Sequence, residues 1–165
     1  MKKRSHVIYI THTAMLTLIA LGLSYIESLI PPLIPVPGIK IGLANIAVIF
    51  VLYKKDVISA AAVSLIRVFI SFLLFGSVLS LAYSLCGALF SLFLMFLLKK
   101  LSIFSEIGVS VCGALAHNVA QIAVACLIFS SKEIFYYPPV LMISATVTGI
   151  IIGLISCLMI RKVKI

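Results

Sequence analysis

Acidic side chains are scarce in this sequence. Only four occur, Glu27, Asp56, Glu106 and Glu133, and they are widely scattered. Chemistry on diphosphates commonly uses carboxylate clusters to hold magnesium, and no aspartate-rich cluster is present. A Ser/His/Asp arrangement lacks an acidic member at matching depth, because Asp56 and Glu106 fall at the ends of apolar runs. A Walker A motif is missing, which excludes nucleotide hydrolysis by that machinery. Cys86, Cys112, Cys126 and Cys157 stand alone in apolar segments with no CxxC pair. They read as packing residues rather than metal ligands or a disulfide framework. The expectation is therefore a non-enzyme with no metal and no other cofactor.

Apolar residues dominate what remains. Hydrophobic residues make up 64% of 165, and the mean hydropathy is +1.34. A soluble domain is nearer half apolar, and so short a chain has nowhere to hide the excess from water. A lipid bilayer accepts it, and at about 20 residues per span the length allows six or seven crossings at most. Spans are expected at roughly 7–30, 41–53, 57–75, 78–98, 107–129 and 140–160. Breaks fall at the run Pro31 to Gly38, at Lys54-Lys55, at Gly76, at Lys99-Lys100 and at Ser130 to Pro139. The second segment is short for a full crossing, so a re-entrant or interfacial course is the alternative. No removable signal peptide is evident, because the apolar stretch after the basic start is too long for an h-region.

The net charge of +9 points to membrane topology, not to nucleic acid. Basic residues cluster between the apolar runs, at Lys2-Lys3-Arg4, Lys54-Lys55, Lys99-Lys100 and Arg161-Lys162-Lys164. Alternate connections then hold the clusters, while the others hold only Lys40 and Lys132. By the positive-inside rule both ends are cytoplasmic. The expected fold is an all-α integral membrane protein of the bacterial inner membrane. It forms a six-transmembrane-helix bundle, N-in/C-in, as a single domain over residues 1–165.

An ionisable side chain at bilayer depth costs roughly 2.5–3.5 kcal/mol on insertion scales, so each one faces protein or water. Arg67 lies mid-way along the third span, on one helical face with Ala60, Ser64 and Ser71. That setting suits an anionic ligand, a structural ion pair or bonds to backbone carbonyls. His117, Asn118 and Gln121 share a face of the fifth span near Gly113 and Ala114. They line a pocket or join helices as polar glue. Glu27 ends the first span, with Lys40 and Asn45 beyond the proline-rich connection. Glu27 and Lys40 either pair across it or reach the headgroups. With Tyr83, these residues form the candidate ligand site, a cavity open to the outside with cationic character, suited to a polar or anionic small molecule. Ala20, Ser24 and Ser28, at i, i+4 and i+8, form a small-residue stripe for a partner helix, either of this chain or of another subunit.

The segment Pro37-Gly-Ile-Lys-Ile-Gly-Leu-Ala-Asn-Ile46, after a first span ending Glu27-Ser-Leu-Ile-Pro, resembles the bacterial Gx transporter family. That family is often labelled heptaprenyl diphosphate synthase component I. It is similar in size and layout to the S components of energy-coupling factor (ECF) transporters. The resemblance covers nearly the whole chain. It implies a six-helix substrate-binding protein with its ligand site toward the outer face. It also implies a transmembrane coupling subunit, driven by two cytosolic ATPases and met through Ala20, Ser24 and Ser28. The leading expectation is an S-component-like subunit of small-molecule uptake. The alternative is a non-catalytic membrane accessory to polyprenyl diphosphate or quinone synthesis.

Overall fold

The computed structural model describes residues 2–30, 42–128 and 138–163, with side chains from 7 onward. All regular structure among them is helical: α1 (Lys2–Leu29), α2 (Asn45–Lys54), α3 (Val57–Phe75), α4 (Val78–Leu101), α5 (Glu106–Ile128) and α6 (Pro138–Lys162). Five of the six, all but α2, are long and apolar enough to cross a membrane. Their outward faces carry large apolar side chains such as Leu18, Leu74, Phe93, Leu127 and Ile143. This is a multi-pass membrane protein. The proline-rich run and the polar loop expected at Ser130 to Tyr137 lie outside the described residues.

Helix ends follow local chemistry. Asp56 caps α3, its carboxylate accepting from Ser59 N at 2.7 Å, and satisfies one of the unpaired first-turn donors. Ser77 does the same for α4 through Ser80 N at 3.2 Å. Between them Gly76 and Ser77 run extended, so α3 turns sharply into α4. Basic residues close α2, α4 and α6, where the helix dipole favours them. Pro138 and Pro139 sit inside the first turn of α6 rather than before it, since first-turn N–H groups have no intrahelical bond to lose.

α2 departs most from the expected layout. Its ten residues span about 15 Å, half of a hydrocarbon core of about 30 Å. Every side chain from Ile46 to Leu52 is buried. The helix runs inside the bundle, walled by α1, α3 and α6, and Ala20, Ala60, Val63, Met95, Val109 and Ile152 complete its core. At its C-terminal end Lys99 bonds the Leu52 carbonyl and lies 5.2 Å from the Tyr53 ring centroid.

The second half of the bundle packs through glycines. A Cβ on Gly149 would sit 2.8 Å from Val111 Cα, and one on Gly153 would sit 2.9 Å from Ile107 Cα. α5 and α6 therefore touch backbone to backbone, and Ser110 donates across to the Gly149 carbonyl at 2.8 Å. Gly113 on α5 leaves room for the Met95 side chain of α4. Of the cysteines, Cys157 is buried, Cys86 and Cys112 are half-buried, and Cys126 is exposed.

Candidate functional site

Above the N-terminus of α2 lies a cavity of about 380 Å³. Pockets for small metabolites begin at about 300 Å³. Four long helices each contribute two side chains one turn apart: Ser24 and Ser28 from α1, Arg67 and Ser71 from α3, Ser80 and Ser84 from α4, Ser144 and Thr148 from α6. From α5 come Ala114, His117 and Asn118, while Gly42 and Asn45 form the floor at α2. Glu27 closes the α1 side, with Phe72 and Phe75 as an apolar wall.

Arg67 is the central cation. Its Nη1 donates to Ser24 Oγ at 3.4 Å, while its Nε is buried with no hydrogen-bond partner. Ser71 Oγ, one turn further along the same face, is likewise buried and without a partner. The stripe expected around Arg67 faces inward along its length, with Ala60 and Ser64 buried below it. Glu27 accepts from the backbone N–H of Gly42, a residue with φ +78°. The left-handed backbone turns this N–H toward α1, a conformation that glycine adopts readily. Glu27 and Arg67 attract each other across the cavity.

Many of the remaining polar atoms are acceptors. Ser28 Oγ donates to the Tyr25 carbonyl at 2.7 Å, Ser144 Oγ to Leu141 O at 3.0 Å, and Thr148 Oγ1 to Ser144 O at 2.9 Å. With the hydroxyl hydrogens committed to their own helices, the oxygens retain lone pairs. Asn118 Nδ2 donates to Leu141 O at 2.8 Å, which leaves its Oδ1 as an acceptor. His117 stacks its ring over Gly87, where a Cβ would lie 2.6 Å from Cε1, and pairs with Gln121 at 3.1 Å.

Five of the eight expected ligand residues thus meet in one cavity: Glu27, Asn45, Arg67, His117 and Asn118. Gln121 is buried behind His117, and Tyr83 is half-buried on α4 away from the cavity wall. Lys40 lies outside the described residues, so the expected Glu27–Lys40 pair does too. The α1 stripe divides. Ala20 is fully buried in the core, Ser24 faces Arg67, and Ser28 is exposed at the cavity edge. Its close neighbour is α3 of the same chain. The sequence reading passed over Ser80, Ser84, Ser144 and Thr148. The i, i+4 hydroxyl spacing inside apolar spans was the available signal.

A second polar cluster lies at the opposite end of α1. The Tyr9 hydroxyl bonds Asp56 and Ser59. Lys55 Nζ donates to Tyr9 O at 3.0 Å and to Thr13 Oγ1 at 2.9 Å, over the Tyr9 ring. The Tyr9 hydroxyl, with the Ser59 N–H, holds the Asp56 carboxyl below the usual carboxylate range.

The family model described as heptaprenyl diphosphate synthase component I matches residues 16–159. The chain belongs to this family. No curated protein and no solved structure matches it. The span shared with the component I family takes in the cavity wall, from Ser24 on α1 to Ile152 on α6, and leaves out the Tyr9 end of α1. The family description names a component of a synthase.

Proposed function

We propose that this chain is the membrane-embedded, substrate-binding subunit of a small-molecule uptake transporter, taking a polar or anionic ligand from the outer side of a bacterial cell membrane. The observation that carries this reading is Arg67, which lines a polar cavity inside the bundle with its Nε unpartnered. A buried guanidinium that is not fully satisfied by its own chain is expensive, and a ligand would complete its bonding. The cavity also lies at the end of α2 away from Lys54 and Lys99, which the positive-inside rule makes the outer end. The chain has no Walker A motif, so uptake driven by ATP through that machinery would need partner subunits. A transmembrane coupling protein and cytosolic ATPases are the partners that the S-component resemblance implies.

The family description favours a second reading, a non-catalytic membrane accessory to a prenyltransferase. Affinity purification of the tagged chain from native membranes in mild detergent, followed by mass spectrometry, separates the two. Recovery of two ATPases with a larger membrane subunit supports transport, and recovery of a soluble prenyltransferase supports the accessory role. Protein recovered alone counts against both partner models. Within the first reading, Arg67→Ala abolishes binding of the transported molecule in a folded protein. Unchanged affinity would remove Arg67 from the site.

A further inference from the structure

The cavity carries two opposed charges that the fold keeps apart. Arg67 turns to Ser24 and Glu27 turns to Gly42 N–H, so no direct bond joins them. Two groups of opposite charge in a low-dielectric space pair directly unless something else holds each in place. Here a backbone N–H holds one and a serine the other, and cavity space remains between.

The acceptors fall on one side of the account. Glu27, the oxygens of Ser28, Ser144 and Thr148, and Asn118 Oδ1 can receive hydrogen bonds, their hydrogens or amide N–H groups being used within the chain. As donors stand Arg67, with its unpartnered Nε, and the Ser71 hydroxyl, and on the floor and the α4 wall the Asn45 amide and the Ser80 and Ser84 hydroxyls. A ligand that fits brings several donors for the acceptor side and one anionic group for Arg67. It also brings little net charge, since Arg67 and Glu27 already sum to zero. A diphosphate fits poorly. It carries several negative charges and at most one donor at neutral pH, and would place its charge beside both Glu27 and the serine lone pairs.

Resting on the reading of this chain as a binding subunit, we propose that the cavity takes a small zwitterion: its anionic group on Arg67 and its ammonium between Glu27 and the α6 hydroxyls.

Matched probes test this on the purified full chain in detergent. Serine, leucine and phenylalanine are each compared with the hydroxy acid that replaces the ammonium by hydroxyl, and with the amino alcohol that lacks the carboxylate. Inorganic pyrophosphate is the polyanion control. The thermal midpoint by circular dichroism reports binding, since the chain has no tryptophan. At least one amino acid should bind roughly ten- to hundredfold more tightly than both analogues, the difference one charged hydrogen bond makes. Glu27→Gln should erase the margin over the hydroxy acid, and Arg67→Gln the margin over the amino alcohol, with helical content unchanged in both. A hydroxy acid or pyrophosphate bound as tightly as the amino acid overturns the two-pole assignment and leaves the binding-subunit reading standing. If no probe binds, the small molecule released on denaturing the purified protein decides. A molecule with one ammonium and one anionic group supports the assignment, and any other charge type overturns it. Nothing released overturns the assignment and the binding-subunit reading together.

Discussion

The backbone contact between α5 and α6 yields a prediction with a built-in control. Gly149 and Gly153 are four residues apart and face α5, and the atoms that a methyl would strike are Val111 Cα at 2.8 Å and Ile107 Cα at 2.9 Å. Carbon atoms rest at about 3.5–4.0 Å, so Gly149→Ala must drive the helices apart by roughly 0.7 Å or more. Neither obstacle is a side-chain tip that can swing aside, so the displacement is shared by the whole interface. Overpacking of this kind costs about 1–3 kcal/mol. Replacing glycine by alanine within a helix also brings a gain of up to about 1 kcal/mol, which would hide part of the loss. Gly22, within α1, has no atom within 4 Å of its would-be Cβ. Gly22→Ala therefore reports the helix gain by itself. The gap between the two variants isolates the clash, at about 1–3 kcal/mol. For a chain of this length that corresponds to a difference in thermal midpoint of about 2–12 °C, read by circular dichroism in detergent. Adding Gly153→Ala should cost less than it does singly, because the first displacement makes room for the second methyl. Equal midpoints for Gly149→Ala and Gly22→Ala would refute the close approach.

Three shorter predictions concern the site and its supports. Gly87→Ala should push the His117 ring off its seat and break the 3.1 Å bond to Gln121, weakening ligand affinity more than it lowers the thermal midpoint. Gly42→Ala should cost about 1–2 kcal/mol, because φ +78° is strained for a residue with a Cβ, and an unchanged midpoint would rule out the left-handed turn. Asp56→Ala should cost about 1 kcal/mol by loss of the α3 cap. Because the folded-state pKa of Asp56 is depressed, its contribution is present above the ordinary carboxylate range and is lost as pH falls through the folded value. The midpoint gap between wild type and Asp56→Ala should then close on acidification, and a gap that widens would contradict the sign.

The bounds of α3 were legible to the residue because polar punctuation marks both ends, Asp56 before it and Gly76-Ser77 after it. The start of α2 was not. Apolar residues run on from Ile41, and only the left-handed turn at Gly42 shows that the helix begins at Asn45. Charge made Arg67, Glu27 and His117 visible, since a costly group within a span needs a reason. Hydroxyls carry no such cost, as they can bond to their own helix. Ser144 and Thr148 therefore looked like any other serine and threonine until the helix packing turned them inward. The α1 stripe was legible as a close-packing face, but its neighbour could not be named from spacing alone. The Gly149-x-x-x-Gly153 pair was an equally readable signal and marks the backbone-to-backbone approach of α5 and α6.

The short α2 explains why a cavity exists at all. Five long helices around a sixth of equal length would close on an apolar core from face to face. Here the central helix fills only about half the depth, and its fully apolar surface requires that it stay walled in. The space above Gly42 and Asn45 is what the missing turns leave behind. That space is where Arg67 can be kept within a span, because water or a ligand can reach the polar lining. The turn that leads into α2 meets Glu27 there, its Gly42 N–H donating to the carboxylate, so the group this turn holds is also the negative pole of the cavity. Cutting one helix short thus creates the site, its floor and the turn that holds one of its two charges.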